Sequence, residues 1–190
     1  LTTMLLSGAL STSFLLFTFY LQDDLGIGPL GAGLTMLPLA IALVVASTLV
    51  PRLLGTWGAR ACVLAGLGFT AGAMATIALV SALDAGAAWL VPAMVLIAAG
   101  MGFGLVGLQY IAVSGTTEED AGIASGVQRA ADQLGGATGV AVFVGIGFAP
   151  ALHSTDPFLI ATVLAVAGLL IGALIVHRAP IAATSGEQAE

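Results

Sequence analysis

Asp132 is the only carboxylate of this chain that falls within an apolar span, and Arg129 stands three residues before it. On a helix that spacing places both side chains on one face, within reach of an ion pair. An acid inside a bilayer costs roughly 2.5–3.5 kcal/mol on insertion scales and is a functional candidate by default. Two readings follow. Asp132 is a gating or proton-carrying group that exchanges Arg129 for a proton, or it is an interfacial acid, solvated or paired, with no further part to play. Gln133 adjoins it. Ser7 and Ser11 lie one helical turn apart in a second apolar stretch, and Gln109 and Tyr110 lie together in a third. A buried amide wants a partner, so Gln109 either lines a cavity or pins its helix to a neighbour. The serines either face that cavity or bond the carbonyls of their own helix.

Other chemistries find little support. Cys62 is the single cysteine, which excludes an internal disulfide and a multi-thiolate metal site. His153 and His177 are expected at opposite membrane faces and cannot share a metal. Ile123-Ala124-Ser125-Gly126 lacks the leading glycine of an intramembrane serine-protease motif, and no phosphate-binding loop is present. The formal charge of −6 comes from loop acids and two tail glutamates, which argues against a nucleic-acid partner.

The elements that position these residues are set by composition. Apolar residues make up 59% of the chain and charged residues 7%, against roughly 45–50% and 25% in soluble proteins. Six apolar segments, at 1–21, 31–50, 61–83, 88–114, about 130–149 and 158–176, are each long enough to cross a hydrocarbon core, which takes roughly 20 helical residues. Backbone groups in lipid must pair within the segment, so each crossing is a helix. Arg52 and Arg60 fall between segments two and three, Arg129 between four and five, and Arg178 after six. Basic residues are retained on the cytoplasmic side, which predicts a multi-pass protein of the cell membrane with both ends of this segment inside.

The turns are expected at 23–29 and 84–87 outside, at 51–60 inside with Trp57 at interfacial depth, and at 153–157 outside. Thr116 and Glu119 fit a capping box, which starts helix five near Thr117 and leaves Asp132 and Gln133 at the inner membrane edge. Helices one, four and five carry most of the polar side chains. Helices three and six carry few, and are expected to be peripheral and lipid-facing. This recurrence in threes suits two inverted three-helix repeats. Gly68/Gly72, Gly100/Gly104, Gly135/Gly139 and Gly168/Gly172 are Gly-x-x-x-Gly pairs suited to close helix packing. Leu1 already stands inside an apolar span, from which a fragment lacking its N-terminal part is expected. Residues 1–178 read as one bundle and 179–190 as a disordered cytoplasmic tail.

Tyr20-Leu21-Gln22, then Gly26-x-x-Pro29-x-x-Ala32-Gly33-Leu34-x-x-Leu37-Pro38, Leu54-Gly55-x-x-Gly58-x-Arg60, Gly100-x-Gly102-x-Gly104, Gly122-x-Ala124-Ser125-Gly126 and Gln133-Leu134-Gly135-Gly136-Ala137-x-Gly139-x-Ala141 follow one another in the chain. In this order and spacing the chain resembles the C-terminal half of major facilitator superfamily transporters, and more narrowly the fourteen-span drug:proton antiporter branch. The resemblance implies an all-α membrane fold of six helices, working against an N-terminal half of the same transporter. It further implies export of amphipathic small molecules by alternating access, with no cofactor beyond a proton gradient, and a cytoplasmic loop motif at Gly55, Gly58 and Arg60. The loop lacks the acid of the fuller motif. Transport of another substrate class is an alternative, as is a self-contained six-span channel or a scaffold. A channel needs a polar filter or charged ring, and no span offers one.

Overall fold

A computed structural model of the chain describes residues 1–83, 87–114, 116–147 and 157–178. The expectations placed on Asp84, His153 and the tail 179–190 lie outside the described residues. Among those described the backbone is helical and no strand occurs. α1 (Thr2–Phe19) continues as a π turn, Tyr20–Asp24. α2 (Pro29–Thr35) opens with proline in its first turn, where the missing N–H costs nothing. Met36 separates it from α3 (Leu37–Ala82), which has Pro38 in its own first turn. A 3-10 turn, Ala87–Leu90, leads into α4 (Val91–Gly100), a second π turn, Met101–Leu105, and α5 (Val106–Val113). α6 (Glu118–Gly147) and α7 (Pro157–Arg178) complete the chain.

The inside turn expected over 51–60 is corrected. Helix continues through Pro51, Arg52 and Gly55 and breaks only at Gly58, whose φ of 79° and ψ of 156° are non-helical. A straight helix of 46 residues would be about 69 Å long at 1.5 Å per residue, more than twice the ~30 Å hydrocarbon core. The break at Gly58 is what turns one helix into two crossings. A side chain is poorly tolerated at this φ, so Gly58→Ala is expected to cost about 1–3 kcal/mol. Gly55→Ala, with open space around its would-be Cβ, serves as its control. Thermal unfolding of the two variants in detergent checks this, and equal midpoints would contradict the strained break.

Taking α3 on either side of Gly58 as separate crossings, the described residues form six rods: α1; α2 with α3 to Gly58; the rest of α3; residues 87–113; α6; and α7. Their contacts follow a pattern. Gly8 of rod one meets Gly135 and Gly139 of rod five, while Gly102 of rod four meets Ala46 of rod two. Gly172 of rod six meets Thr2 and Leu5 of rod one, while Gly104 of rod four meets Gly66 of rod three. Exchanging rods one, two and three for four, five and six leaves this pattern unchanged, as two inverted three-helix repeats require. Lipid removes most of the hydrophobic drive for helix association, so close van der Waals packing through small residues carries it instead. Some hydroxyls in this interior are satisfied locally: Thr12 donates to the Gly8 carbonyl at 2.7 Å and Thr70 to the Gly66 carbonyl at 2.9 Å.

The expected periphery is corrected for rod three alone. Rod three is central: Cys62, Val63, Leu67, Thr70, Met74 and Ile77 are all buried. Rod six buries Ala165, Leu169 and Val176 and exposes Val163, Leu170 and Leu174. Rod two is more exposed, with Ile41, Val44 and Val45 uncovered. An apolar side chain suits lipid and protein interior equally well, so low polarity does not by itself place a helix on the outside.

Candidate functional site

The site is built where α1 and α6 run side by side. α6 starts at a cap one residue later than the expected Thr116–Glu119 pair. The Asp120 backbone N–H donates to Thr117 Oγ1 at 3.3 Å, and the Thr117 hydroxyl donates to Asp120 Oδ2 at 3.0 Å. Thr116 instead donates to the Val113 carbonyl. From that cap α6 runs parallel to α1 in a fixed register. Thr3 Oγ1 donates to Gln128 Oε1 at 3.0 Å, and four residues on, Ser7 Oγ donates to Asp132 Oδ1 at 2.5 Å. Four residues on again, Ser11 faces Gly136, whose Cβ would crowd the serine hydroxyl. A step of four keeps successive residues on one helical face, which makes these three pairs a ladder. The close approach of Gly8 to Gly139 brings the two backbones near enough for short side chains to bridge them.

Asp132 has a second partner. Arg129 Nη1 lies 2.6 Å from Asp132 Oδ2, so each carboxylate oxygen accepts from one donor. Hydrogen bonds to an ionised group are the stronger kind, and Asp132 accepts one on each oxygen, from Ser7 and from Arg129. The Asp132 side chain is 16% exposed and that of Arg129 73%.

The pair opens onto a cavity of about 380 Å³. α1 contributes Ser7, Leu10, Ser11 and Phe14 to its wall. The π turn contributes Met101 and Leu105, and α6 contributes Arg129 and Asp132. The π turn matters to this geometry. Its glycines, Gly102 and Gly104, point toward Ala46 and Leu6 in the packed interior, leaving Met101 and Leu105 to face the opening. A smaller cavity of about 60 Å³ lies between Leu105, Gln109, Gln128, Arg129 and Asp132. Gln109 also borders a third, of about 400 Å³, with Leu54 and Tyr110.

Of the residues singled out from sequence, Ser7, Ser11, Arg129 and Asp132 therefore share one cavity, and Gln109 reaches the same ion pair through the smaller one. Tyr110 is half-exposed and, of these three cavities, lines the third. Gln133 is exposed and borders none of these three. Gly55, Gly58 and Arg60 stand apart at the break in α3, where the Arg60 Nε is buried without a hydrogen-bond partner among the described residues. Thr3 and Gln128 were not singled out. The four-residue spacing of Thr3, Ser7 and Ser11 was the available signal. Nothing in the sequence marks the π turn that presents Met101 and Leu105. Among the described residues no cluster of His, Cys, Asp and Glu could hold a metal ion.

A family model described as Major Facilitator Superfamily matches residues 1–140. The chain is 44% identical over 175 residues to the lincomycin resistance protein of Streptomyces lincolnensis, covering 92% of this chain and 36% of that protein. It is 37% identical over 150 residues to a probable actinorhodin transporter of Streptomyces coelicolor, covering 75% and 26%. It is 33% identical over 155 residues to the puromycin resistance protein of Streptomyces alboniger, covering 76% and 30%. The chain thus spans about a quarter to a third of the length of these relatives. No solved structure matches it. Its apolar helices, its two-fold packing pattern and the family match agree: the chain belongs to the Major Facilitator Superfamily.

Proposed function

We propose that this chain is the C-terminal half of a proton-coupled exporter that moves amphipathic small molecules across the cell membrane by alternating access. The observation that carries this reading is the cavity between α1, the π turn and α6, which is mostly apolar with an ion pair at its edge. Such a lining suits a ligand with a large apolar body and few polar groups. The relatives named for lincomycin resistance, actinorhodin transport and puromycin resistance support the export of bulky organic molecules. In this reading an N-terminal half of the same transporter closes the open side of the cavity, and the two halves rock about it in the bilayer. Both ends of the segment are cytoplasmic, on the strength of the four arginines. Asp132 couples the cycle: protonation removes its charge, releases Arg129 and weakens the bond from Ser7, so that α1 and α6 part on that side.

The test is accumulation of a fluorescent amphipathic cation, ethidium, in cells without their own exporters that express the full-length protein. Accumulation is expected to fall several-fold, and a proton ionophore is expected to restore it. Accumulation equal to that of vector controls, with the protein present in the membrane, would overturn export. Lowered accumulation that ignores the ionophore would overturn proton coupling alone.

A further inference from the structure

The two members of the ion pair are unequally placed. Ser7 holds Asp132 through Oδ1, and the carboxylate side chain is 16% exposed. The Arg129 side chain is 73% exposed and is held only through Nη1 to Oδ2, its one hydrogen bond among the described residues. Exposed pairs on long side chains are weakly held. Arg129 is therefore the member that can leave, and Asp132 the one that stays.

Both residues border the same cavity, so a positive group within it approaches Oδ2 from the side that Arg129 occupies. Phe14 stands in the wall, and the face of an aromatic ring attracts cations. Leu10, Met101 and Leu105 make the rest apolar. Ser11, opposite the bare Gly136, has no hydrogen-bond partner among the described residues and offers its hydroxyl to whatever enters. No other charged side chain among the described residues lines the cavity.

We propose that Arg129 is a built-in occupant of a cation site on Asp132, displaced from Oδ2 when an organic cation binds with its apolar body against Phe14, Met101 and Leu105. Ser7 keeps Oδ1 in both states. One cation replaces another on one carboxylate, and the displaced guanidinium, already 73% exposed, keeps its charge in solvent beside the site. The arginine sets a threshold: only a ligand that combines positive charge with enough apolar contact displaces it, and a simple inorganic cation does not. The physiological meaning of the site rests on the transport function proposed above.

The test is equilibrium binding of tetraphenylphosphonium to purified full-length protein in detergent, with no proton gradient. Removing an internal competitor raises apparent affinity by the inverse of the fraction of sites left open. Arg129→Gln is expected to tighten binding about two- to sixfold, and Arg129→Lys, with a shorter reach and no fork, by less. Asp132→Asn is expected to weaken binding at least about tenfold. Combined with Asp132→Asn, the Arg129→Gln change is expected to have no effect, because there is no longer a carboxylate to occupy. The uncharged triphenylphosphine oxide is expected to bind all variants alike.

Unchanged or weaker binding in Arg129→Gln would overturn the proposal. So would equal tightening in the Asp132→Asn background, which would make Arg129 a through-space repeller and not an occupant. A matching gain for the uncharged probe would also overturn it, by showing that the substitution only enlarges the cavity. The measurement needs no gradient, so its failure is distinguishable from failure of the efflux assay.

Discussion

Asp132→Asn in the full-length protein is expected to reduce proton-driven efflux tenfold to a hundredfold while the protein still reaches the membrane. Asparagine keeps the size of the side chain and an oxygen that accepts from Ser7, so the ladder between α1 and α6 survives in part. It cannot carry a proton, and it cannot hold Arg129 as an ion pair. A hydrogen bond to a charged group is worth about 1.5–3 kcal/mol, and 1.4 kcal/mol is about tenfold in a population, which sets the range. Asp132→Glu retains the charge on a longer arm and is expected to lose less. Initial efflux rates in energised membrane vesicles, at matched protein amounts, measure this. Undiminished efflux in Asp132→Asn would remove the residue from coupling and leave it a structural, paired acid.

Gly139→Ala is expected to be among the most destabilising single-methyl changes in the chain. A Cβ at this position would overlap the Gly8 backbone, and Gly8 lies on the facing side of α1 between the rungs Ser7–Asp132 and Ser11–Gly136. Two backbones in contact have no flexible side-chain end to move aside. Overpacking of this kind typically costs about 1–3 kcal/mol. The helices must separate to relieve it, which also stretches the Thr3–Gln128 and Ser7–Asp132 bonds. Gly122→Ala is the comparison, since its Cβ would meet nothing within 4 Å. Thermal unfolding in detergent should place Gly139→Ala well below Gly122→Ala. Coincident transitions would show that α1 and α6 do not approach so closely.

Much of the fold was legible because lipid leaves few options. Apolar runs of crossing length, with arginines at alternate turns, give six helices before any contact is known. The glycine pairs were legible only by halves. Gly100/Gly104 and Gly135/Gly139 sit at crossings, whereas Gly68 faces open space and Gly72 only a leucine side chain. Gly8 and Gly66, which make equally close approaches, carry no such spacing to announce them. The candidate site was legible residue by residue. Arg129 and Asp132 are neighbours on one helix, so their pairing follows from the period of 3.6. Ser7 is 125 positions away from Asp132, and no local rule joins them.

The sequence by itself determined that the chain is an all-helical membrane protein, that Asp132 and Arg129 share a helical face, and that α1 presents hydroxyls at a spacing of four. These are consequences of composition and helical period, which act within a segment. Only the tertiary structure decided that α1 and α6 are parallel neighbours in register, that rod three is buried, and that a π turn exposes Met101 and Leu105 to the same cavity. Those outcomes depend on which small residues meet across a crossing. That is a property of pairs of helices, because lipid solvates every apolar face alike and leaves close contact to choose among them.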